Sequence, residues 1–252
     1  MEIGGNPPRK GSIPFEGRTV LFDLDGTLVR MERRGIEFRF VLRATWRFAG
    51  AIAPWRFPKA LYRAIDVMQN HGSERTNYEV ILSELARHSR KPRPDLEGRA
   101  RELIRRDFAT LADRFLPVPG ARETLILARD LGYRLVLATN PVWPLEAVKM
   151  RLAWGGLSDL PFDFIANSEA MTRCKPDPAY YRELLAKLGA RGDECLMVGN
   201  DPRKDLPAKE AGIRTFLISP EPIDDPRLDG WGSFDDLQEC LKQWAVSRSS
   251  CA

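Results

Sequence analysis

Val20-Leu21-Phe22-Asp23-Leu24-Asp25-Gly26-Thr27-Leu28-Val29 decides the fold. Its opening apolar run, with Val and Phe, reads as a buried strand. Two carboxylates one residue apart follow, then Gly and Thr. A strand ending in this way sets acidic groups at the carboxyl edge of a sheet, where open α/β folds bind their ligands. Gly26 lets the chain leave the strand sharply. By itself the stretch also fits a strand followed by an acidic turn, because Asp and Gly are ordinary turn residues.

The pattern further along supports the first reading. The first strand is expected at Thr19–Asp23. After Pro117-Val118-Pro119-Gly120 the chain alternates: helix at 121–131, strand at 133–138 ending in Thr139-Asn140-Pro141, helix at 145–153 and a short strand near 162–166. A loop with Lys175, a helix at 179–188, a strand at 194–199 ending in Asn200-Asp201 and a last core strand at 214–218 come next. A closing helix is expected at 234–245. Alternating strands and helices imply a parallel sheet covered on both faces, an α/β Rossmann-like fold. Each polar cluster follows a strand, so all converge on one sheet edge.

Residues 30–115 differ: they read as helical, with apolar spacing at 38–48 and 78–85 and a returning helix near 96–113. Arg30, Arg33, Arg34, Arg39, Arg43 and Arg47 alternate with Phe38, Phe40, Trp46 and Phe48. Such a mixture suits RNA or membrane-surface binding. The plainer expectation is a helical lid with aromatics packed inward and arginines solvated.

Composition narrows the classes. The 252 residues are 43% hydrophobic with a net charge of +4, a globular profile that demands no nucleic-acid partner. No apolar run approaches the ~20 residues of a membrane span. Met1 to Lys10 lacks the apolar core of a signal peptide. The expectation is a soluble, cytoplasmic protein with no membrane and no nucleic-acid partner, a monomer or homodimer. The four cysteines form no CxxC pair and imply reduced thiols. Two histidines leave little for a His-rich metal site.

Asp23, Asp25, Asp201 and Asp205 at one edge would repel each other unless a cation intervened. Hard carboxylate oxygens suit Mg²⁺, which binds through one or two carboxylates plus substrate phosphate. Thr139 and the amides after it would hold an anionic oxygen, and Lys175 would neutralise a phosphate as a compact point charge. Together they describe phosphoryl transfer. Each piece alone has a plainer role: a turn at Thr139-Asn140-Pro141, a rigid loop at Lys175-Pro176-Asp177-Pro178, a helix N-terminal cluster at Asp201–Asp205.

In this order the motifs resemble the haloacid dehalogenase-like (HAD) hydrolase superfamily. Asp23-Leu24-Asp25-Gly26-Thr27 is similar to its first motif, Thr139 after an apolar strand to the second, Lys175 before Pro176 to the third, and Gly199-Asn200-Asp201-Pro202-Arg203-Lys204-Asp205 to the fourth. The resemblance covers roughly residues 18–220. It implies a core domain of residues 18–30 and 116–246, an inserted helical C1 cap at 31–115, a flexible leader at 1–17 and a flexible tail at 247–252. It also implies roles. Asp23 is the nucleophile, forming an aspartyl-phosphate. Asp25 protonates the leaving oxygen and then serves as base. Thr139 and Lys175 stabilise phosphoryl oxygens, with Asn140 beside the substrate and Thr27 supporting the loop. Mg²⁺ is held by Asp23, the backbone carbonyl of Asp25 and an acid of the fourth motif. That motif departs from the usual Gly-Asp: Asn200 follows Gly199. Asp201 is therefore expected to supply the metal carboxylate, Asp205 to act through water or Lys175, and Asn200 remains an alternative neutral ligand.

The activity so implied is a Mg²⁺-dependent phosphoric monoester hydrolase acting on a small phosphorylated metabolite. A phosphomutase, a phosphonatase, a haloacid dehalogenase or a non-catalytic binding protein are the alternatives. Asp25 speaks against the dehalogenase, since halide needs no leaving-group acid. The polar turn 70–77 is the candidate specificity loop.

Overall fold

β1 (Thr19–Phe22) is fully buried and lies in the middle of the sheet, as its unbroken apolar run requires. The computed structural model describes residues 15–32 and 34–249. After β1 the chain forms β2 (Val29–Met31) and then four helices, α1 (Ile36–Phe48), α2 (Phe57–Asn70), α3 (Asn77–Ala86) and α4 (Arg93–Glu102). It returns through β3 (Phe115–Pro117), which pairs antiparallel with β2. Both expected crossing points into and out of the insert, 30/31 and 115/116, fall inside this strand pair.

The remaining chain alternates: α5 (Ala121–Asp130), β4 (Arg134–Leu137), α6 (Leu145–Trp154), β5 (Phe164–Ile165), α7 (Pro178–Leu188), β6 (Cys195–Gly199), α8 (Pro202–Asp205), β7 (Arg214–Ile218), β8 (Gly230–Gly232) and α9 (Phe234–Ser249). Six parallel strands stand in the order β5-β4-β1-β6-β7-β8. Phe22 is opposite Leu137 on one side and Val198 on the other. The polar residues after β1, β4 and β6 therefore leave the sheet side by side, at the point where chain direction across the sheet reverses.

Two apolar cores cover the faces of this sheet. One gathers Phe22, Leu125, Leu137, Val148 and Leu237; the other gathers Leu21, Val136, Tyr180, Leu184 and Met197. The insert has a third cluster of its own, with Phe48, Phe57, Leu61, Leu82 and Leu96. A capping box starts α3: Thr76 accepts from the Glu79 amide, and Glu79 accepts from the Thr76 amide.

The structure departs from the sequence expectations in several places. The leader was expected to be loose through residue 17, yet Phe15 is buried against Tyr133 and Trp244. Residues 1–14 lie outside the described residues. The tail was expected from 247, but α9 continues to Ser249; residues 250–252 lie outside the described residues. The returning helix is broken: α4 stops at Glu102, a π turn spans Leu103–Asp107 and a 3-10 stretch spans Phe108–Arg114. β8 has the sequence Gly-Trp-Gly, too short for a periodic signal. Of the aromatics at 38–57, Phe40, Phe48 and Phe57 pack inward as expected. Phe38, Trp46 and Trp55 are 72%, 71% and 80% exposed. Phe38, Leu42 and Trp46 are four residues apart, so they form one outward stripe of α1. No described helix is long and apolar enough to cross a membrane.

Candidate active site

Asp23 is the first residue past β1, and its amide still donates to the Val198 carbonyl at 2.9 Å. It is buried, with 8% exposure. Lys175 Nζ donates to Asp23 Oδ1 at 3.0 Å and to Asp205 Oδ1 at 2.7 Å, so one ammonium joins the first and fourth motifs. The other oxygen of Asp205 accepts from the amides of Asn200 (3.1 Å) and Asp201 (3.0 Å). Asp205 is thereby spent on holding Lys175 and the turn after β6.

Burial pushes the Asp23 carboxyl up to about 7; Asp205 and Asp25 push the same way and Lys175 opposes them. Burial by itself would lower the Lys175 pKa, but the carboxylates of Asp205 and Asp23 outweigh it and keep the ammonium charged. The hydroxyls of Tyr180 and Tyr181, buried below the lysine, are raised well above their ordinary range by burial. They act here as neutral donors: Tyr180 donates to the Thr139 carbonyl at 3.0 Å and Tyr181 to the Lys204 carbonyl at 2.5 Å.

Thr139 is the second residue past β4, the strand beside β1, and is buried. Asn140, expected beside the substrate, accepts the Lys175 amide on its Oδ1 at 3.1 Å and thus ties the second motif to the third. Gly26 has φ +95°, and a Cβ there would meet Asn200 Nδ2 at 2.4 Å. Thr27 Oγ1 donates to Asn200 Oδ1 at 3.2 Å. Asn200 therefore lies over the loop of the first motif. Asp201 has a local role: its Oδ1 accepts the Arg203 amide at 3.0 Å as the cap of α8, and its Oδ2 is 3.5 Å from Lys204 Nζ.

One contributor escaped the sequence reading, and another was seen only as the end of the polar turn 70–77. Arg151 on α6 is 1% exposed, and its Nη1 donates to Asp25 Oδ2. Its signal was available: Ala147, Val148 and Leu152 are buried on the same face, so a charge sat within an apolar stripe. Asn77, fully buried at the start of α3, reaches from the insert to the core. Its Nδ2 donates to the Pro141 carbonyl at 3.1 Å and to Cys174 Sγ at 3.3 Å. Arg173 Nη1 and Nη2 donate to the carbonyls of Ser73 and Gly72 at 2.7 and 3.2 Å. The polar turn 70–77 thus rests against the loops of the second and third motifs.

Among the described residues, no group of three or more His, Cys, Asp or Glu side chains is arranged to hold a metal ion. Asp23 Oδ2 and the main-chain carbonyl of Asp25 accept no hydrogen bond from described residues. Two hard oxygens beside a carboxyl strained by neighbouring carboxylates fit a Mg²⁺ that completes its shell with water and substrate phosphate.

The family model described as haloacid dehalogenase-like hydrolase matches residues 18–212. A phosphoglycolate phosphatase of Rhodospirillum rubrum is 37% identical over 131 residues, covering 50% of this chain and 52% of that protein. A ribulose-1,5-bisphosphate 5-phosphatase of Halopiger xanaduensis is 28% identical over 220 residues, 80% of this chain and 84% of the relative. The chain thus spans about half the length of one and most of the other. Among solved structures, a HAD phosphatase from Thermococcus onnurineus superposes with TM-score 0.57 at 21% identity, over 89% of this chain and 97% of that one. A 2-haloacid dehalogenase from Pseudomonas syringae gives TM-score 0.60 at 21% identity, over 90% and 99%. At these identities the solved structures establish the fold alone.

Proposed function

The chain belongs to the haloacid dehalogenase-like hydrolases, and on that premise we propose that it is a Mg²⁺-dependent phosphatase working through an aspartyl-phosphate. The observation that carries this reading is the pairing of two carboxylates with opposite surroundings. Asp23 is buried against Lys175 with one oxygen open, and Asp25, two residues on, is gripped by Arg151.

An Asp23 carboxylate oxygen attacks phosphorus in line, the ester P–O bond breaks, and Asp25 gives its proton to the departing oxygen. Water then attacks the aspartyl-phosphate, Asp25 takes its proton, and inorganic phosphate leaves with Asp23 restored. Lys175 and Thr139 hold the phosphoryl oxygens while charge shifts. When bound, Mg²⁺ would supply charge neutralisation during the transfer. Asp23 and the Asp25 carbonyl would hold it. Asp201 would add a carboxylate by loosening its hold on α8; Asn200, already over the first-motif loop, would add an amide oxygen. The insert serves as the lid, and Asn77 fastens it to the core. Several relatives' names support small phosphorylated substrates, among them a phosphoserine phosphatase of Thermus thermophilus, 37% identical over 121 residues.

Phosphate release from a panel of phosphomonoesters, with and without Mg²⁺, tests the reading. Turnover is expected only with Mg²⁺ and is lost in Asp23→Asn. Retained turnover in that variant, or release from haloacids and phosphonates but no phosphomonoester, would overturn it.

A further inference from the structure

Between the insert and the core lies a cavity of about 750 Å³, in the size range that encloses a drug-sized ligand. It meets the catalytic apparatus at Asp25, the residue that faces the leaving group in the reaction proposed above. Most of its wall is apolar: Phe40 from α1, Leu61 from α2, Ile81 from α3 and Trp143 from the loop after the second motif. The rings of Phe40 and Trp143 meet edge to face at 5.0 Å, so insert and core share this wall.

The charged and polar groups on the wall are mostly satisfied within the protein. Glu37 accepts from the Tyr62 hydroxyl at 2.7 Å, Arg105 donates to Glu146 at 3.1 Å, and Glu169 accepts the Leu145 amide at 2.9 Å. Three atoms of wall residues are not: Asp25 Oδ1, Arg151 Nη2 and Ser168 Oγ are buried without a hydrogen-bond partner. Arg151 and Ser168 border Trp143, and Asp25 joins them through Arg151. Arg151 holds Asp25 and lies 5.9 Å from the Trp143 ring, and the Ser168 amide donates to the Trp143 carbonyl at 2.8 Å. Buried polar atoms without partners are rare in folded proteins and mark a place where a ligand's polar atoms complete the set.

We propose that this cavity is the leaving-group site and that the substrate is a phosphate monoester of a bulky apolar alcohol. Its ester end would meet Asp25, Arg151 and Ser168, and its hydrocarbon body would fill the space toward Phe40, Leu61 and Ile81. This rests on the phosphatase reading and adds the substrate class. A leaving group of two or three polar carbons would leave most of the cavity unfilled and its apolar wall without contacts.

The test uses primary alkyl phosphates, whose leaving oxygens have similar reactivity: ethyl, butyl, hexyl and 2-phenylethyl phosphate, compared with phosphoglycolate and phosphoserine. Full transfer of each methylene from water is worth about fourfold in kcat/KM. The proposal expects a rise of at least tenfold from ethyl to hexyl phosphate, with the polar phosphates below the longer esters. Ile81→Trp, which narrows the cavity, should lower the hexyl-to-ethyl ratio at least fivefold. A flat or falling series, or a preference for the polar phosphates, overturns the apolar-substrate proposal and leaves the phosphatase reading intact. An unchanged ratio in a folded Ile81→Trp protein also overturns it. Absence of turnover with every phosphate defeats the phosphatase reading and this proposal together. Should Ile81→Trp fail to fold, the alkyl series on the unaltered protein still decides.

Discussion

Arg151 is buried, with one guanidinium nitrogen on Asp25 and another unpartnered at the cavity wall. The Asp25 side chain keeps 31% of its surface in solvent, so water offsets part of the loss when its partner is removed. Arg151→Met should therefore cost about 1–3 kcal/mol in denaturant unfolding, and less when combined with Asp25→Asn. It should also lower kcat by about 10²-fold, since the acid loses its orientation. A variant with unchanged stability and turnover would show that the pair is incidental. Gly199 is the other sensitive residue: a Cβ there would lie 2.1 Å from Asp205 Oδ2. That carboxylate is fixed by two amides and, through its other oxygen, by Lys175, so it has no room to yield. Gly199→Ala should destabilise by about 2 kcal/mol, as overpacking does, and reduce activity by displacing Lys175. The sequence exposed Asp23, Asp25 and Thr139 because they follow apolar strands, and Lys175 because it stands in the string Cys174-Lys175-Pro176-Asp177-Pro178. Arg151 was missed because no motif contains it; only its place within a buried helix face gave it away.

Among the elements, α1 and α3 contrast in how much of their behaviour was legible. Asn77 begins α3 and bonds to Pro141 and Cys174 in the core, contacts 64 and 97 residues away in sequence. Nothing local announces such partners. Asn77→Ala should cost about 1–3 kcal/mol, the penalty for leaving buried acceptors unsatisfied, and raise KM more than it lowers kcat by loosening the lid. A change in kcat alone would contradict the latch. For α1 the amphipathic spacing revealed the helix but misjudged its faces. Phe40 and Phe48 turn inward, while Phe38 and Trp46 turn out. Trp46→Ser should shift unfolding free energy by no more than about 0.5 kcal/mol. Trp143→Ser, which strips the half-buried ring packed on Phe40 and Phe108, should cost more, about 1–3 kcal/mol.

At the scale of the molecule, the βαβ alternation foretold the parallel sheet and the edge where the polar motifs gather, because buried parallel strands are apolar throughout and easily seen. The short pairs did not show: β2, β3 and β8 have three residues each and carry no periodicity. The reduced thiols expected from spacing fit an interior that protects them. Burial pushes Cys174 and Cys195 up to about 12 and Cys240 up to about 11. A raised thiol pKa keeps the group protonated until pH approaches that value, so these three should resist a thiol-exchange reagent at pH 8 and react on unfolding. Labelling of any of the three in the native protein, read by mass spectrometry of its peptides, would contradict the packing described.

The central claim is that Asp23 carries the phosphoryl group. The direct measurement is rapid acid quench during turnover with Mg²⁺ and a hydrolysed phosphomonoester, followed by mass spectrometry of the peptide containing Asp23. The account predicts one phosphoryl group on Asp23, removed by hydroxylamine and absent from Asp23→Asn. Steady turnover by the unaltered protein with the phosphoryl group on another residue, or activity retained in Asp23→Asn, would contradict it.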